Sequence, residues 1–174
     1  MLAQDKFNAQ KAVEAMLYIS AKIKNPTLHS ISKVLYFADK KHLECYGRFI
    51  AGDEYIAMKH GPVPSASYDI LKSARGDGVR HRTIAQTAFS VTETHKVKPQ
   101  RQAQLHVLSE SEQESLDYAI LHYGNLSFKK LTDLSHDAAW HAADDNDLIS
   151  IESIAATLPE HDALLRHLQD PYPG

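Results

Sequence analysis

Apolar residues recur at three- and four-residue intervals through Ala9, Ala12, Val13, Met16, Leu17 and Ile23, with Lys6, Lys11, Glu14 and Lys22 among the other positions. That spacing gathers the apolar set on one face of a helix. Asn25-Pro26 ends it, because proline lacks an amide proton and disfavours helical geometry in the residue before it. A second helix is predicted from about Thr27 to Tyr46, with Ile31, Val34, Leu35, Ala38, His42 and Cys45 on one stripe, Phe37 and Leu43 widening it, and Gly47 as its stop. So short a connection favours an antiparallel helix pair sharing one core.

The texture then changes. Gly52-Asp53 reads as a turn, Glu54 to Met58 as a short extended segment, and His60-Gly61-Pro62-Val63-Pro64 as backbone that two prolines hold extended. Ser65 is placed to cap a helix running to about Ala74, which Arg75-Gly76-Asp77-Gly78 closes. Thr83 to Gln86 and Phe89 to Thr92 lean towards β-structure, enough for a small sheet or hairpin. Ser109-Glu110-Ser111-Glu112 has the capping-box pattern, continued by Leu116, Ala119, Ile120 and Tyr123 as a helix ending near Gly124. Ser127 caps a helix through Phe128, Leu131 and Leu134. His136 to Trp140 leads into an acidic loop, and a last helical region from about Ile151 to Leu168 is interrupted by Pro159. The expected fold class is mainly α (α+β): a compact helical domain, residues 1–174, with a small antiparallel β-sheet or hairpin.

Length and composition fit that picture. A chain of 174 residues, 43% hydrophobic and 24% charged, buries one substantial core and is not of the disordered class. The charge of −3 argues against purely electrostatic nucleic-acid binding. Positive charge collects only at Arg75, Arg80, His81, Arg82, Lys96, Lys98 and Arg101, which reads as a solvated face or a local polyanion site. The opening Met1-Leu2-Ala3-Gln4-Asp5-Lys6 has no signal-peptide pattern, and no apolar run reaches the roughly 20 residues that span a bilayer. With Cys45 the lone cysteine, a cytoplasmic location without an intramolecular disulfide is expected.

Catalytic signatures are sparse. Eleven histidines supply no HExxH, and His136 and His141 would stand about 140° apart on a regular helix. Asp144, Asp145 and Asp147 lack the remainder of a calcium loop. Cys45 with His42 shares the spacing of a thiolate–base pair but reads as core. No glycine-rich phosphate loop or nucleophile elbow occurs. No metal or cofactor is expected, and a binding role is favoured over an enzyme. The enzyme alternative has Asp39, His42 and His60 as acid–base groups acting on a small molecule or nucleotide.

The stretch Lys33 to Arg48, followed by Gly52 to Pro64 and Ser65 to Leu71, resembles the Panacea, or SocA-like, antitoxin domain. Leu108-Ser109, Glu114, Leu116-Asp117, Tyr123-Gly124-Asn125 and Leu131 to Trp140 extend the likeness to about residues 10–145, leaving a C-terminal helical extension over 150–170. The resemblance implies an antitoxin of a type II-like toxin–antitoxin system of bacteria or phages, neutralising a cognate, translation-inhibiting toxin by direct binding. An adaptor presenting a toxin to a Clp-type protease is the alternative.

On the motif, the candidate partner contacts are Tyr36, Asp39, Lys40, His42, Tyr55, Met58, His60, Gly61, Pro62, Val63 and Pro64. Aromatic rings serve as interface anchors as well as core packing. The stiff connector from His60 to Pro64 lowers the ordering cost of binding, with Val63 exposed to enter a partner pocket. Its other reading is a structural link between strand and helix. Asp39, Lys40 and His42 would set specificity and encounter rate. Trp140 either covers the core or docks a partner.

Overall fold

A computed structural model describes residues 6–78 and 81–170. Helix α1 (Ala9–Lys22) is capped by the Asn8 side chain accepting from the Lys11 amide. Helix α2 (Leu28–Tyr46) starts at a capping box, in which Thr27 accepts from the Ser30 amide and Ser30 Oγ accepts from the Thr27 amide. It stops at Gly47, whose φ of 78° is left-handed.

One stripe of α2 was expected to face the core. Instead every residue from 30 to 39 is buried, so α2 runs through the middle of the molecule with neighbours on all sides. It packs chiefly on α5 (Glu110–Tyr123), and also on α1, α3 (Ser65–Arg75) and α6 (Phe128–Ser135). The two N-terminal helices share this single core. Cys45, expected in the core, lies on the last turn of α2 where the helix reaches solvent, and is exposed.

Strands β1 (Tyr55–Met58) and β2 (Gly61–Pro64) form an antiparallel hairpin, Tyr55 opposite Pro64 and Met58 opposite Gly61. β2 is an edge strand, the place in a sheet where prolines are tolerated. The other side of β1 is taken by β5 (Leu148–Ile149), from the far end of the chain. A second hairpin pairs β3 (Phe89–Val91) with β4 (Val97–Pro99). The mainly helical α+β class with small antiparallel sheets is therefore what the chain adopts.

Two local expectations are corrected. Thr83 to Gln86 belong not to a strand but to helix α4 (Arg82–Ala88). Ala85 and Ala88, three apart, are fully buried there against α3 and α1, and that packing outweighs the β-leaning of Thr83 and Ile84. Ser65 does not cap α3: it is the first residue of the helix, and the cap position falls on Pro64, which has no side-chain cap bond. The carboxylate of Asp53 does so from twelve residues before, accepting from the amides of Ala66 at 3.0 Å and Ser67 at 2.8 Å.

The C-terminal part holds α7 (Ala138–Ala142), α8 (Ile151–Ala155) and α9 (His161–Gln169), the last two separated around Pro159. No helix among the described residues is long and apolar enough to cross a membrane. Arg80 and the first five residues lie outside the described residues, so the basic run is seen only in part. Arg101 is spent on Glu14, both guanidinium nitrogens donating to its carboxylate at 2.8 Å. Arg75 contacts Asp77 and His95.

Candidate partner-binding site

Beneath the first hairpin lies a buried polar framework. Asp39, 2% exposed, accepts from the Ile50 amide at 2.7 Å and the Tyr55 hydroxyl at 2.6 Å. Burial pushes its carboxyl up to about 7 against the pull of those two bonds. Tyr36 packs edge-on against Tyr55 and donates to Asp137 Oδ2 at 2.6 Å, where Lys40 arrives at 2.9 Å. His42 donates from Nδ1 to the Arg48 carbonyl at 2.8 Å, while Nε2 lies 2.9 Å from Ser111 Oγ. Both ring nitrogens of His42 are thus engaged inside the fold, while Cys45, three residues on, is exposed.

A second cluster joins α2, the hairpin and α6. Lys33 is 1% exposed, and its Nζ donates to the Pro62 carbonyl at 2.8 Å. Burial drives its amine down to about 7. Gly61 has a φ of 116°, and a Cβ there would collide with Ser135 Oγ and lie 2.8 Å from Lys33 Cε, so glycine is required where hairpin, lysine and α6 meet. His29, one turn before Lys33, reaches Thr132 Oγ1 at 3.0 Å and stacks on Phe128 at 3.9 Å. Burial lowers His29 to about 4. His60 meets the same Phe128 ring edge-on at 5.2 Å.

The eleven sequence-derived candidates thus divide. Tyr36, Asp39, His42 and Tyr55 are buried, each satisfied by a partner within the chain. Gly61, Pro62 and Pro64 are buried as well, and Val63, expected to be exposed, keeps only 9% of its surface. Its strand runs directly into α3, so the connector is a load-carrying piece of the sheet. Lys40 is half-buried on Asp137. Met58, 38% exposed, and His60 face solvent. Trp140 packs within the chain: it stacks on His136 and donates from Nε1 to the Met58 carbonyl at 2.8 Å, half-buried.

Lys33, His29, Asp137 and Phe128 were not singled out from the sequence. Lys33 sits in an otherwise apolar run, the one available signal. Phe128 reads as one more helix residue, yet it is 54% exposed and bracketed by two histidine rings. Among the described residues no group of three or more His, Cys, Asp or Glu is placed to hold a metal ion.

A family model described as "Antitoxin SocA-like, Panacea domain" matches residues 31–141, well over half of the chain and from the end of the first turn of α2 to α7. No curated protein and no solved structure matches.

Proposed function

This chain belongs to the SocA-like antitoxin family with its Panacea domain, and from that premise we propose that it is an antitoxin of a type II-like toxin–antitoxin pair, neutralising a cognate toxin by direct binding in the cytoplasm. The family match over residues 31–141 carries this reading. Geometry supports a particular division of labour. Tyr36, Asp39, His42 and Tyr55 hold the shape from inside, and contact falls to the solvent-facing Met58 and His60, with Phe128 beside them and Lys40 at the margin. An exposed aromatic fixed between two other rings loses little freedom on binding, which is what an interface anchor needs.

Expression of the adjacent gene's product, with and without this chain, tests the reading. Growth arrest by the product alone, rescue by this chain and co-purification of the two are expected. Phe128→Arg is expected to weaken the complex by a factor of about 30 or more, the cost of a lost hot spot, with only the small fall in melting temperature that losing two partly exposed ring contacts brings. A harmless product would remove the antitoxin reading. Rescue without a complex would favour delivery of the toxin to a Clp-type protease.

A further inference from the structure

Lys33 is a buried amine without a counter-charge. Among the described residues its Nζ has the Pro62 carbonyl as partner and no carboxylate within ion-pair distance. An ammonium carries three donors, so the amine has capacity for further acceptors. Beside it lies a cavity of about 290 Å³, lined by Lys33 with Leu28, His29, Val63, Tyr68 and Phe128. The other titratable groups around Lys33 are His29 on its own helix, His136 after α6, His60 in the hairpin turn, and His95 and Tyr68 across the cavity. Burial lowers both His29 and His136 from their ordinary value, so neither adds a positive charge at neutral pH.

We propose that this cavity binds a carboxylate carried on an apolar, flat or branched body, with the Lys33 amine as its counter-ion and Phe128 and Tyr68 as its walls. A carboxylate brings the missing charge and two acceptor oxygens to an amine that is itself almost wholly buried. The apolar walls select for the body behind it. A phosphate, with more charge and more acceptors, would meet one cation and mostly hydrocarbon, so a single carboxylate is the better fit. The source is either a free small acid or the carboxylate that ends a polypeptide in an apolar residue. The proposal shares Phe128 with the antitoxin reading but not its test, since ligand binding is read on this protein alone and no toxin takes part.

Calorimetric titration of the whole protein at pH 6.5 tests it, with benzoate as the free acid, N-acetylphenylalanine as the chain end, and benzamide and N-acetylphenylalaninamide as uncharged controls. At least one acid is expected to bind with a millimolar dissociation constant or tighter, and at least tenfold tighter than its amide. Preference for benzoate assigns a free acid, and preference for N-acetylphenylalanine assigns a chain end. At pH 8 binding should take up close to one proton per ligand, read from the dependence of the heat on buffer ionisation, because an anion holds Lys33 protonated. Lys33→Met should abolish the acid preference. Phe128→Ala, at an exposed position, should weaken both acids at least threefold, and it keeps the test open should the lysine variant fail to fold. Equal affinity for acids and amides, or an absence of proton uptake at pH 8, overturns the proposal.

Discussion

Glu112→Ala is expected to lower the free energy of unfolding by about 2 to 3 kcal/mol, less than the cost of half-breaking a fully buried ion pair because Lys11 and Arg48 keep 25% and 37% of their side chains exposed and are re-solvated. Glu112 is fully buried, yet it receives Lys11 Nζ at 2.7 Å, Arg48 at 2.8 Å and the Ser109 amide at 2.8 Å. Those contacts tie α1, the segment after α2 and the start of α5 to one carboxylate. Burial alone would raise its pKa, but the bonds from Lys11, Ser109 and Arg48 together outweigh that and hold it below the ordinary value of 4.5. The sign of the pH effect follows: the contribution is present above 4.5 and is lost as pH falls through the lower folded-state value. Glu112→Gln keeps the shape and an acceptor for the cap, so its loss should be smaller and should shrink towards zero in acid. Urea unfolding from pH 7 down to pH 3 reads both. A loss below about 1 kcal/mol for the alanine variant, the range of exposed pairs, would mean that this carboxylate does not hold the three segments together.

The second large effect has the opposite sign. Lys33→Met should raise stability by about 3 kcal/mol at pH 6. A depression of the amine from 10.5 to about 7 corresponds to a penalty on the order of 5 kcal/mol when both folded and unfolded chains are protonated. Methionine escapes that penalty but forfeits the bond to the Pro62 carbonyl, which costs about 1 to 2 kcal/mol. Between pH 7 and 10.5 the unfolded chain binds the additional proton, so the unsubstituted protein gains stability as pH rises and the advantage of methionine fades. Parallel urea curves at pH 6, 8 and 10 give the difference directly. A methionine variant less stable than the parent at pH 6 would show that Lys33 has a compensating partner in the folded protein.

Much of the helical scaffold was legible because its signals are local. The capping box at Ser109 and Glu112 formed as spaced, Gly47 and Gly76 ended their helices, and Pro62 and Pro64 kept their backbone extended. What escaped depends on residues far apart in the chain. Asp53 reaches over its own hairpin to cap α3, and no local pattern shows that. Periodicity marks one apolar face of α2, whereas its burial on all sides is decided by the hairpin and α6 packing opposite α5. That difference hid the site, because a lysine off the apolar stripe reads as solvated and Lys33 is not. The same reasoning decides between the two readings of the motif aromatics, packing and interface anchor: Tyr36 and Tyr55 face each other and the carboxylates of Asp137 and Asp39. Phe128 became visible only once α6 had brought it between His29 and His60.

The pairing of β5 with β1 has a consequence for how the chain is made and cut. Ala57 donates its amide to the Asp147 carbonyl at 2.9 Å and accepts from the Asn146 amide at 2.7 Å, while Tyr55 and Ile56 face Ile149 and Leu148. During synthesis the hairpin therefore leaves the ribosome with one side unzipped, and stays so until residue 149 has followed it out. A fragment trimmed at residue 141, where the family match stops, would keep that side bare for good. Unpaired strand margins recruit other chains, so such a fragment would tend to stick to its own copies along the side that residues 146–149 cover in this chain.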